Sequence, residues 1–188
     1  MLLALMVSAH VGAVEAETRA SLDHFAKAIF TSVARNDADA YSRDVLPSVG
    51  QLRDYLAGND EMSSSKKALI LKVGTGRIDT ARRNLPEMIA RIRAAGEERG
   101  LDWDRAVFLG TRALNGGDGQ IDVGPTPLRD VYSVNGFLVH LSDHNAQYFI
   151  EVNESMVNRT AGTMKWSTYK PIKWHAGSRS ASILNVKY

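Results

Sequence analysis

Apolar side chains recur every three or four residues near the start of the chain. Leu22, Phe25, Ile29 and Val33 form one stripe, widened by Ala26 and Phe30. Such a stripe is the mark of an amphipathic helix. It predicts a helix over 18–35 that ends at Asn36 and Asp37. The next stretch, ADAYSRDVLPSVGQLRDYLAG, is broken by Pro47. A short helix from Ser48 carries Leu52, Tyr55 and Leu56 inward, and Gly58 stops it. Further on, Leu85, Met88, Ile89 and Ile92 mark another helix, running to about Glu98 and closed by Gly100. Its start reads as Asn84, with Pro86 in the first turn and Glu87 three residues on, a capping-box arrangement.

From residue 105 the period changes to two. RAVFLGTRAL (105–114), DVYSVNGFLVHL (130–141), AQYFIEV (146–152) and GTMKWSTYK (162–170) read as strands. SDHN is a natural hairpin turn between the second and third. Asn135-Gly136 is either a further turn or a bulge in one long strand. Residues 115–127 form a Gly/Pro-rich connection, and ASILNVKY at the end is a last edge strand or a tail. Helices first and an antiparallel sheet afterwards place the chain in the α+β class.

One segment competes with that scheme. KKALILKVGTGRID (66–79) has the look of a strand feeding a glycine-rich phosphate loop. Gly74 and Gly76 match the first two positions of a dinucleotide fingerprint, but Asp79 stands where the third glycine is needed. The Gly-Lys-Ser/Thr of a P-loop is absent too. Phosphates bind where the free N–H groups of a helix start converge, and Asn84 lies eight residues beyond Gly76. The segment therefore reads as a break between two helices, capped by the serines before it.

The order of these pieces resembles the cone-shaped fold of the nuclear transport factor 2 superfamily, also called cystatin-like. GLDWDRAVFLG after a long amphipathic helix, then FLVHLSDHNAQYFIEV, then GTMKWS, is similar to small exported bacterial members of that superfamily. The resemblance covers roughly 20–174, and it departs from the lipoprotein members because the chain has no Cys. It implies N-terminal helices packed on a curved antiparallel sheet, with a pocket between them. It implies no single chemistry, since that fold hosts isomerases, dehydratases, hydrolases and purely binding members.

Composition sharpens the compartment more than the function. Without cysteine there are no disulfides, thiolate catalysis or cysteine zinc sites. Leu2 to Val14 is apolar apart from Ser8, His10 and Gly12, too short to span a bilayer. Val14-x-Ala16 supplies small residues for signal peptidase, although a basic leader start is missing. The reading is a signal peptide at 1–16, with a buried N-terminal helix as the alternative, and a secreted or periplasmic mature chain from about Glu17. One domain then covers 17–174, and 175–188 is a basic tail or edge strand. Formal net charge is +2, but the last 34 residues carry +6 and the rest −4. Trp166, Tyr169, Trp174 and Tyr188 interleave with those cations. An exported protein would offer them to anionic glycan or lipid, not nucleic acid, unless they are the lysines that keep a sheet edge from aggregating.

The candidate chemistry is sparse. His140 and His144 have the i, i+4 spacing of a helical zinc pair, but on a strand and its turn the rings diverge. His24, next to the stripe of the first helix, is structural. Glu151 is an acid–base candidate under one of two strand parities, both of which remain open; Asp130, Tyr132 and Arg112 are conceivable pocket groups. No nucleophile elbow supports Ser-His-Asp catalysis. Asn153-Glu-Ser and Asn158-Arg-Thr fit the glycosylation sequon. The resulting expectation is an exported, non-catalytic binding protein without cofactor or metal. Its concave sheet face, marked by Trp103, His140, Tyr148 and Trp166, takes a small molecule or a protein partner. The alternatives are an isomerase, dehydratase or hydrolase of the same fold with a buried carboxylate, and a module that holds anionic surfaces through the tail. A homodimer through the sheet is suggested by analogy alone.

Overall fold

The first apolar stripe folds as helix α1 over 22–34, burying Leu22, Phe25, Ala26, Ile29 and Val33 to 3% exposure or less. The structure, a computed structural model, describes residues 22–114, 123–125, 131–134, 136–152, 155–160, 163–168 and 173–177, with side chains for 22–114 and 136–152. The expected signal segment at 1–16 and the last residues of the basic tail lie outside these.

Helix α1 ends as the sequence anticipates. Asn36 takes a left-handed φ of 53°. Its N–H reaches the Val33 carbonyl at 3.1 Å, and the Asp37 N–H reaches that of Ser32 at 2.8 Å. This is the paired closure of a Schellman motif, with Asn in the place usually taken by Gly. Asp37 then caps a helix the periodicity did not disclose, α2 (Ala38–Asp44), through a 2.8 Å bond from the Ala40 N–H. Helix α3 (Val49–Ala57) starts at Ser48 with a complete capping box to Gln51.

The glycine-rich segment is not a break between helices. Helix α4 runs unbroken from Ser64 to Glu97, 34 residues, with Pro86 inside it. There is no break at Gly74–Gly76 and no helix start at Asn84. Gly74 instead lets α3 approach: a Cβ there would stand 2.5 Å from Leu52 Cδ2. Inside a helix the amides of 74 and 76 are committed to the carbonyls four residues back, so no phosphate cradle exists. Ile78, Leu85, Ile89, Ile92 and Gly96 are all buried, and their spacing puts them on one face only if the helical phase continues through Pro86. That shared burial outweighs the roughly 3 kcal/mol an interior proline costs. A second Schellman closure ends α4: Gly100 at φ 82°, its N–H on Glu97 O and the Leu101 N–H on Gly96 O at 3.0 Å.

Strands β1 (Val107–Ala113), β4 (Phe137–Asp143), β5 (Ala146–Val152) and β8 (Lys173–Gly177) form one antiparallel sheet in the order β1-β4-β5-β8. Strands β2 (Val123–Pro125), β3 (Val131–Val134), β6 (Ser155–Thr160) and β7 (Thr163–Thr168) form a second, in the order β2-β3-β6-β7. Thus 130–141 is two strands in two sheets, parted at Asn135-Gly136, where Gly136 has φ 109°. β2 lies in what was expected to be an open connection, and β6 and β8 carried too little alternation to be foreseen. The protein is α+β, with helices preceding the sheets.

The core lies between the helices and one face of the first sheet. Phe137, Val139, Leu141, Tyr148, Ile150 and Val152 present that face, and α1 and α4 cover it. Phe25 meets Phe137 edge to face at 6.2 Å, and the Thr111 hydroxyl donates to Asp23 on α1 at 2.6 Å.

The continuity of α4 gives a substitution whose sign is decisive. Asn84→Ala is expected to stabilise by about 0.5 kcal/mol, as alanine does in a helix interior. A helix starting at Asn84 would instead lose about 1 kcal/mol of capping. Pro86→Ala, at an exposed position, is expected to add about 1–3 kcal/mol. Urea unfolding midpoints at neutral pH measure both.

Candidate functional site

The two faces of the first sheet differ in kind. The helix-facing side is filled by fully buried apolar side chains. Register assigns Arg112, Leu138, His140, Ser142, Gln147, Phe149 and Glu151 to the other side, through the pairs Arg112–Leu138, His140–Phe149, Ser142–Gln147 and Leu138–Glu151. The strand parity left open by the sequence is thereby decided: Tyr148, Ile150 and Val152 face the helices and Glu151 faces away.

His140 is the distinctive member of the outer face. It is 5% exposed, while Arg112 and Phe149 around it are half-buried. The Phe149 ring stacks on the imidazole at 4.8 Å between centroids and 14° between planes. Arg112 Nε donates to His140 Nδ1 at 3.2 Å. A guanidinium has no acceptor, so Nδ1 must carry the lone pair and the proton sits on Nε2. Burial first, then the Arg112 charge, push the His140 pKa down; hydrogen bonding toward the Gln147 side chain opposes them, although Nε2 has no partner at full hydrogen-bond distance. The face thus holds a neutral imidazole with a buried, unsatisfied N–H donor beside a cation. Leaving such a donor unmet costs about 1–3 kcal/mol.

The β4–β5 hairpin turn carries a second polar group. His144, at φ 52°, and Asn145 close it, and His144 Nδ1 lies 2.7 Å from Asp143 Oδ1. The Asp143 side chain is 4% exposed. It accepts from the Asp102 N–H at 2.9 Å and from Arg105 Nε at 3.4 Å, tying the α4–β1 connection to the hairpin. The Asp102 amide above all, with His144 and Arg105 adding to it against the effect of burial, holds its carboxyl down to about 2. A carboxylate so well supplied with donors is a poor proton acceptor. It is a strut, not a general base.

A depression of about 300 Å³ lies beside the C-terminal end of α4, lined by Arg93, Glu97, Leu101, Asp102, Trp103 and Asp104. Its polar groups already have structural work. Arg93 donates to the Val33 and Ala34 carbonyls at the end of α1 and sits 5.6 Å over the Trp103 ring. The Trp103 indole N–H returns to Arg93 O at 3.1 Å. Arg93 thereby joins α4 to the end of α1.

The expected binding residues are not brought onto one surface. Trp103 is buried at 4%, against Gly96. Tyr148 faces the helices, its hydroxyl donating to Arg99 O at 3.4 Å. His140 points the other way. Trp166 lies on β7, and its side chain is outside the described residues, as are those of Asp130 and Tyr132. His24 is exposed on α1. Phe149 was passed over, although the sequence held the signal. Three residues back from Asp143 and three forward from Ala146, the pair that closes the hairpin, lie His140 and Phe149, leaving Tyr148 on the opposite face.

Three comparisons bear on identity. No family model, curated protein or solved structure matches the chain. Among the described residues no three His, Cys, Asp or Glu side chains cluster as a metal site would need. Nor is any described helix long and apolar enough to cross a membrane.

Both perturbed groups make stability fall with acid. The folded His140 pKa lies below the ordinary value of about 6.5, so as pH falls below that value the unfolded chain takes up the proton first and the fold loses stability. Asp143 adds a second loss, beginning near its ordinary value of about 4 and complete as pH passes its folded value of about 2. Urea midpoints from pH 8 to pH 3 are expected to decline in these two windows. His140→Gln is expected to flatten the upper one and Asp143→Asn the lower.

Proposed function

We propose that this chain is an exported, non-catalytic binding protein whose ligand docks on the sheet face turned away from the helices. The buried His140 Nε2–H, with no acceptor at full hydrogen-bond distance and with Arg112 beside it, carries this reading. The imidazole donor calls for a ligand that brings an acceptor, and a carboxylate meets it while suiting the Arg112 charge beside it. The flat Phe149 ring offers an apolar wall next to them, so an aromatic or otherwise planar carboxylate suits the site best. Gln147, exposed and near enough to bias the charge of the imidazole, is the adjustable group at the rim. The apolar fill between helices and sheet, and an Asp143 held ionised, favour binding over acid–base catalysis. Membership of the nuclear transport factor 2 superfamily and export through the 1–16 segment belong to the same proposal.

The test is an NMR titration of the ¹⁵N-labelled protein with benzoate, using benzylamine as the cationic control. Saturable shifts are expected at the His140 ring and the Phe149 amide with benzoate alone, and Arg112→Ala or His140→Ala is expected to weaken binding about tenfold. Shifts centred on Trp103 and Tyr148, or none that saturate, would return the ligand to the helix side or remove it altogether.

A further inference from the structure

The N-terminal half of α4 carries a surface that the fold does not use. Residues 64–83 hold six cations, Lys66, Lys67, Lys72, Arg77, Arg82 and Arg83, against one acid, Asp79. Among the described residues none of the six is in an ion pair, and Arg83 meets the Thr80 hydroxyl at 3.2 Å. At 100° per residue, Leu69, Val73, Gly76 and Thr80 line up on the side opposite the buried Ile78 and Leu85. Lys66 and Arg77 flank this strip on one side, Lys72 and Arg83 on the other. Leu69 is 62% exposed and Val73 46%. Gly76 has nothing within 4 Å of where a Cβ would stand, so internal packing does not require it. The strip ends at Glu87, which pairs with Arg91.

We propose that this outer face of α4 is a docking surface for anionic lipid headgroups. Charge decides the partner. A second copy of the chain would bring the same unpaired cations face to face, which repels. A nucleic acid would satisfy the cations but leave Leu69 and Val73 facing phosphate. An acidic protein groove would need a wide apolar stripe, and the wide stripe of α4 is already buried in its own core. A lipid surface takes all three features together. The cations meet the headgroups, Leu69 and Val73 dip below them, and the bare Gly76 lets the helix lie close to the plane. This site is independent of the ligand face around His140, which lies on the sheet.

The full-length protein is tested by flotation with phosphatidylcholine vesicles, and with phosphatidylcholine–phosphatidylglycerol vesicles at a 7:3 ratio, at low and high salt. Binding is expected with the anionic vesicles alone and is expected to weaken as salt rises. Neutralising Lys66, Lys72, Arg77 and Arg83 to Gln is expected to lower partitioning about 100-fold or more. Leu69→Ser with Val73→Ser, which keeps every charge, is expected to lower it about tenfold. All six positions are exposed, and circular dichroism verifies that the variants fold. Three results each overturn the proposal: no binding to anionic vesicles, binding that survives the quadruple variant, or binding untouched by the Leu69/Val73 pair. An Arg179→Gln, Lys187→Gln variant controls for the basic tail. Loss of binding in that variant alone would place the lipid contact there and overturn the assignment to α4.

Discussion

The fold depends on an unbroken helical phase in α4. Ile78, Leu85, Ile89, Ile92 and Gly96 reach the core together only because the helix continues through Pro86. Burying each large aliphatic side chain is worth about 1.5–3 kcal/mol. Four of them outweigh about 3 kcal/mol for the proline and about 1 kcal/mol each for Gly74 and Gly76. The C-terminal half of α4 then anchors its neighbours. Arg93 closes the end of α1, Gly96 admits the Trp103 ring, and the Trp103 indole returns to the α4 backbone. Tyr148 reaches the turn after α4 through Arg99 O, so the sheet is fastened to the same end.

One consequence is an asymmetry along α4. Its C-terminal half is spent on packing, while its N-terminal half touches α3 through Gly74 and turns Leu69 and Val73 to the outside. A second asymmetry runs across the first sheet. One face is mostly apolar and packed on the helices, and the other holds a neutral histidine pinned by a guanidinium and a phenyl ring. Apolar burial against the helices fixes the sheet firmly enough for its far face to keep a polar group whose N–H is unmet, a cost the rest of the core absorbs.

Much of this was legible in the residues. Asn36-Asp37, Ser48, Gly58 and Gly100 marked helix ends because capping is a local matter of φ angles and orphan N–H groups. SDHN marked the hairpin for the same reason, and with it the pairing of His140 and Phe149. At 66–86 the local signals conflict with the helix that forms. Two glycines, a proline and an apparent capping box at Asn84 all argue for a stop, whereas the evidence for continuation is a phase relation between Ile78 and Leu85 that only matters once both are buried. Strands β2, β6 and β8 went unseen because short pairings are held by their partners more than by their own alternation.

By itself, the sequence determined the α+β class, the ends marked by Asn36, Ser48, Gly58 and Gly100, the hairpin and the apolar stripes, since each follows from dihedral preference and periodicity within about ten residues. Tertiary structure alone decided that α4 is one rod, which sheet face turns to the helices, and that Arg93 and Asp143 serve as struts. Those outcomes rest on contacts between residues far apart in the chain, where shared burial sets the balance and no local pattern records it.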